Sequence, residues 1–206
     1  MNKDQTIIDS ILEFWMKDSD SNIESATQQA AIWFNATDDL DQYLKKNFTT
    51  WLDQAESGKL DHWQVTSDAS LALILLLDQF SRNMYRGTTE AFKFDAKALN
   101  ISLSMQLNGQ LEELGCIGKV FALMPMQHSE DISIQEASVI AFNSVAENSP
   151  AGYEALLKGN AEFAVLHRDI IHEFARFPHR NRILGRTNTT AEKNWLNQGA
   201  PTFGQG

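Results

Sequence analysis

Seven arginines stand out for where they fall. Arg82, Arg86, Arg168, Arg176, Arg180, Arg182 and Arg186 all lie in two windows, 82–86 and 168–186, and the ten lysines avoid both. A surface that only needed solubility would mix the two cations. The segregation points to the guanidinium group, which is planar, multiply donating and permanently charged. Helical spacing puts Asp78, Arg82 and Arg86 at i, i+4 and i+8, with Gln79 and Asn83 as a neighbouring polar ridge. Arg168, His172 and Arg176 repeat that interval, and the turn Phe177-Pro178-His179-Arg180-Asn181 gathers further donors ahead of Arg186.

Three kinds of chemistry fit these residues. Spare guanidinium groups in a cleft would bind a small carboxylate or phosphate ligand, or a peptide end, with Asn83 and Asn181 as neutral donors. With His128 or His179 as general acid/base, the same cleft would act on a small anionic substrate. In the third reading the arginines are an internal ion-pair network, matched by Asp78, Asp95, Glu130, Asp131, Asp169 and Glu173, that fixes how helices pack. The spacing alone leaves all three open. In either site reading both windows pack together although they are far apart in the chain.

Weaker signals lead elsewhere. His128-Ser129-Glu130 invites a triad or a metal, but Ser129 and Glu130 are accounted for by helix capping, and no HExxH-like ligand spacing is present. No metal or cofactor is expected. His167 falls in an apolar stripe with Phe163 and Phe174 and reads as a core histidine. Cys116 has no basic neighbour nearer in sequence than Lys119, which argues against a reactive thiolate. Trp33, Phe34, Trp51 and Trp63 lack the interleaved basic residues of a base-stacking platform and read as core.

The elements that must hold these residues are helical. Apolar stripes at helical spacing run through Ile7–Trp15, through Leu40–Ala55 with Thr37 as N-cap and Gly58 as stop, and from Ser67 through Leu71–Leu77 towards Arg86. Further stripes cover Phe92–Leu107, closed by Gly109; Ile117–Met124, ended by Pro125; Ser129–Glu147, capped by Ser129; and Phe163–Phe174, ended by Phe177-Pro178. Residues 148–160 read as a break, and Thr189-x-x-Glu192 is a capping box. The class is all-α, a single helical domain over residues 1–199 with a loosely ordered tail over 200–206.

Composition narrows the setting. The 206 residues carry 17 Lys+Arg against 27 Asp+Glu, a net charge of −10, which argues against general affinity for nucleic acid or anionic lipid. The longest apolar run, Leu71–Leu77, is too short to span a bilayer. Asp4, Asp9 and Glu13 interrupt the first stripe as no signal peptide would allow. One cysteine excludes an internal disulfide, and a cytoplasmic location is expected. The oligomeric state is not legible.

Several segments resemble the family called domain of unknown function 924. They are Leu77-Asp78-Gln79-Phe80-Ser81-Arg82-Asn83 with Tyr85-Arg86-Gly87-Thr88; Ala91-Phe92 with Asp95; and Pro125 followed by His128-Ser129-Glu130-Asp131. Most specific is the block His167-Arg168-Asp169, then Arg176-Phe177-Pro178-His179-Arg180-Asn181 and Leu184-Gly185-Arg186. The likeness runs from Ile7 to Asn197. It implies antiparallel helical hairpins stacked as in tetratricopeptide-repeat proteins, with a concave face, and no established reaction. Ser81 stands where the family is expected to have proline, Ala175 where it has glycine, and Leu123 where it has an aromatic residue.

Overall fold

A helix that is apolar on every side has to be covered on every side, and the chain is arranged to cover one. In the computed structural model, which describes residues 3–35 and 37–204, all regular structure among the described residues is helical. The first three helices are α1 (Lys3–Trp15), α2 (Ile23–Phe34) and α3 (Asp38–Glu56). Then come α4 (Ser67–Ile74), a π turn over Leu75–Phe80 and α5 (Ser81–Met84), which together run without a break. The chain continues through α6 (Asp95–Leu107), α7 (Cys116–Gln127), α8 (Ile132–Glu147), α9 (Glu154–Phe174) and α10 (Thr190–Asn197).

Helices α1, α3, α6 and α7 pack around α4 and its π turn. Every residue from Ala69 to Arg82 is buried. Phe80 sits among Trp15 and Phe48, with ring centroids 5.3 and 4.8 Å away, and Trp33 closes on Phe121 at 5.0 Å. On the other side α6, α7, α8 and α9 each pack on the next, as stacked helical hairpins must. A smaller cluster of Ile170, Ile171 and Phe177, with Phe174, Trp195 and Phe203 against it, fastens the carboxy-terminal part.

Local signals set most boundaries. Thr37 caps α3 through Leu40 N, Gly58 and Gly109 adopt positive φ after α3 and α6, and the Thr189–Glu192 box is complete. Helix α2 was not anticipated: its burial is done by Ala26, Trp33 and a glutamine, Gln29, that donates to Trp15 O at 2.9 Å. Three expectations are corrected. Pro125 does not end α7: it forfeits one bond, but His128 N still reaches Met124 O and the helix continues to Gln127. The cap of α8 is Asp131, which accepts from Ser133 N, and Ser129 stands two residues ahead of it. Helix α9 begins at Glu154, so Gly159 lies inside it and the break shortens to 148–153.

Helix α9 ends at Ala175, two residues before Phe177-Pro178. Ala175 is exposed and holds φ 56°, ψ 12°, the left-handed conformation that glycine adopts without penalty. Ala175→Gly is therefore expected to stabilise the fold by about 1 kcal/mol. Urea unfolding of both proteins checks this, and an unchanged or lower midpoint would contradict it.

Candidate functional site

The π turn carries Asp78 into the core with no exposed surface. Ser81, one residue past the turn, returns its hydroxyl to Leu77 O at 2.6 Å, so the wide turn is bonded from the side chain as well. A fully buried carboxylate must be met by donors, and three converge here. Arg82 Nε donates to Asp78 Oδ1 at 3.2 Å, His128 Nδ1 lies 2.6 Å from the same oxygen, and the Gln79 amide donates to Oδ2. Burial opposes the charge of Asp78, yet His128 and Arg82 hold its carboxyl below the usual carboxylate range. Burial, and next the charge of Arg82, lowers the pKa of His128 against the pull of Asp78. The ring is therefore neutral near pH 7. With Asp78 ionised, its proton sits on Nδ1, and Nε2 is left as an acceptor.

Asp95, in the first turn of α6, joins the two arginine windows. It accepts from Arg82 Nη2 at 2.7 Å and from Arg180 Nη1 at 3.3 Å. Both guanidinium groups flank the Phe92 ring, 5.4 and 4.8 Å from its centroid, and Arg180 also lies 4.5 Å from the centroid of Phe177. Burial, then the neighbouring Arg82, brings Arg180 down to about 10. The windows thus meet, and they meet as ion pairs.

Four of the remaining arginines are paired too, and Arg182 is exposed. Arg86 forks onto Asp41 at 3.0 and 3.1 Å and donates to Asn83 Oδ1 at 2.6 Å. Arg186 forks onto Glu130 at 2.7 and 2.9 Å, and the same carboxylate accepts from Phe177 N. Arg176 forks onto Glu192. Arg168 pairs with Asp169 and Glu136. Asp78, Asp95, Glu130 and Asp169 serve as the network reading expected; Asp41, Glu136 and Glu192 were not among the partners it named, and Asp131, which was, caps α8 instead.

A cavity of about 520 Å³ opens above this cluster. Its polar lining includes Gln79, Arg82, Asn83, Arg86, Gln127, His128, Asn160 and His167, and its apolar lining includes Trp33, Phe34, Met124, Leu156, Phe163 and Phe203. Of the residues singled out from spacing, Gln79, Arg82, Asn83, Arg86 and His128 reach the cavity and Asp78 supports them from below. The others do not line it. Glu130 and Arg186 clamp the turn at Phe177, Arg176 is drawn away to Glu192, and His172 is exposed on α9. Arg180 backs Arg82 through Asp95, and Asn181 is buried against Asn188. His179 packs on Phe177 and Phe203, with its Nδ1 buried and without a hydrogen-bond partner among the described residues.

Two wall residues carry no spacing signal. His167, read as core, is 5% exposed and bonded through Nδ1 to Phe163 O at 2.7 Å, yet one part of its ring faces the cavity. Burial brings both His167 and His179 down to about 3. Phe203, from the segment expected to be loosely held, lies on His167 with centroids 4.2 Å apart, and Arg86 Nη1 donates to Gly204 O at 2.5 Å. Among the described residues no group of three His, Cys, Asp or Glu side chains is placed to hold a metal ion, and no helix is long and apolar enough to cross a membrane.

Fold and site together define an all-helical protein with a buried Asp–Arg–His cluster beneath a half-apolar pocket. The chain belongs to the family described as bacterial protein of unknown function, DUF924, whose pattern it matches over residues 11–200. It is also similar to a solved protein of unknown function from Agrobacterium tumefaciens. The two are 29% identical, with a TM-score of 0.79 over 95% of this chain and 99% of that one. No curated protein matches the chain.

Proposed function

We propose that this chain binds a small molecule or peptide end in the 520 Å³ pocket, taking its carboxylate or carbonyl at the polar groups and its apolar body against the aromatic rings. The observation that carries the reading is a single cavity lined both by amide, guanidinium and imidazole groups and by the aromatic rings of Trp33, Phe34, Phe163 and Phe203. Charge balance narrows the ligand. The positive charges of Arg82, Arg86 and Arg180 are matched by Asp78, Asp95 and Asp41, so the site has no surplus positive charge, which disfavours a multiply charged phosphate and leaves a neutral carbonyl or at most a single carboxylate.

A thermal-shift comparison of aryl monocarboxylates with phosphate and sulfate tests this. A matching carboxylate at a hundredfold excess over its dissociation constant is expected to stabilise by about 2.7 kcal/mol, a rise of roughly 5–10 °C for a domain of this size. Equal or larger shifts from phosphate and sulfate would reject the reading.

The Asp78–His128 contact favours a second reading, in which His128 accepts or returns a proton on the bound molecule through Nε2 while Asp78 holds the ring in place. It keeps His128 as acid/base and drops His179, whose ring does not line the cavity. A turnover lost in His128→Gln with binding retained separates this reading from simple binding.

A further inference from the structure

Phe203 and Gly204 are the part of the pocket's lining least explained by the fold. They lie beyond α10, and Phe203 holds φ 51°, a left-handed conformation unfavourable for a residue with a bulky side chain. Gly204 follows at φ 74°. That strain is offset by packing on the Ile170, Ile171 and Phe177 cluster and by contact with the site: the Phe203 ring on His167 and near His179, and the Gly204 carbonyl on Arg86. Two features of a peptide, an aromatic side chain and the backbone carbonyl of the next residue, are thus already recognised there.

We propose that Phe203–Gly204 is a built-in occupant of part of the pocket, and that the external ligand competing for the same place is a peptide presenting an aromatic residue followed by a backbone carbonyl. The proposal rests on the pocket being a ligand site and names the ligand class. Tethering makes the internal segment an effective competitor, because a short flexible connection gives an effective concentration on the order of 1 mM. If the internal segment's own dissociation constant for the site is about 0.1 mM, an external peptide would bind the parent chain roughly tenfold more weakly than the vacated site. A peptide that reproduces ring and carbonyl without the left-handed backbone avoids the internal segment's strain.

The test uses the full chain and a fluorescein-labelled acetyl-Pro-Thr-Phe-Gly-amide, which copies residues 201–204. Fluorescence polarisation is expected to show roughly tenfold tighter binding to Phe203→Ala than to the parent chain, with no binding by the same peptide carrying alanine for phenylalanine. Histidine ring resonances should move with the peptide, since His128 and His167 line the cavity. Equal affinity for both chains would overturn the proposal, as would binding that leaves those resonances still. Phe203→Leu, which keeps apolar bulk but loses the ring, replaces Phe203→Ala if the latter does not fold, and the same comparison decides. If Phe203→Ala still responds to aryl carboxylates but not to the peptide, the pocket reading stands and the internal-occupant proposal falls. If it responds to neither, the pocket reading falls as well.

Discussion

Replacing Asp78 with alanine is expected to cost about 3–5 kcal/mol of folding stability. The reason is what remains behind. Arg82 would lose a carboxylate partner while still buried, and the His128 Nδ1 would face the vacated space. Asp78→Asn should be milder, because one amide oxygen can still accept from Arg82. That oxygen, in the place of Oδ1, also meets His128 Nδ1, while the NH₂ group in the place of Oδ2 would meet the Gln79 amide and require it to turn its oxygen inward. Denaturant unfolding measures both effects. A loss below 1 kcal/mol for Asp78→Ala would mean that the cluster is not the keystone its burial implies.

The second large effect is with acid. His167 is held near 3 in the folded protein against about 6.5 when unfolded. Its folded pKa is depressed, so below about pH 6.5 the unfolded chain takes up a proton that the folded chain refuses. The stability that its burial contributes is complete above pH 6.5 and is lost as the pH falls towards 3. By pH 4.5 this amounts to about 3 kcal/mol for His167. His179, also near 3 but more exposed, adds a smaller share. Asp78, Glu130 and Glu192 are all held below their ordinary values, so their contribution disappears only at lower pH. Stability should therefore decline in two stages, the first well above the carboxylate range. Urea unfolding from pH 7.5 to 4 shows this, and His167→Phe, which keeps an aromatic ring but cannot titrate, should flatten most of the first stage. A constant stability between pH 7 and 5 would contradict the argument.

Helix content was legible because apolar side chains repeat at 3.6-residue intervals almost throughout, and α2 escaped because alanine and a buried glutamine leave no stripe. The meeting of the two arginine windows was legible from residue choice alone. Which arginines face a cavity was not. Arg82 and Arg176 look equivalent by spacing, but Arg176 is captured by Glu192, a residue whose capping box gave no hint of a second partner. His128 announced itself only as part of His-Ser-Glu, and its relation to Asp78 crosses fifty residues of chain. Phe203 lay in a segment with no periodicity at all. Sequence pattern records how an element faces a core; it does not record which carboxylate from a distant element arrives to claim a given cation.

The widened turn at Leu75–Phe80 sets a phase. In an α-helix each residue advances the azimuth by about 100°, so a helix that accommodates one additional residue delivers everything after it at a different compass bearing. Arg82 and Asn83, which follow the turn, take their heading towards Asp95 and the cavity from it. A chain shortened by one residue there could remain helical and well packed while aiming its guanidinium group at the wrong neighbour. For this segment, the number of residues is as much a part of the site as their identity.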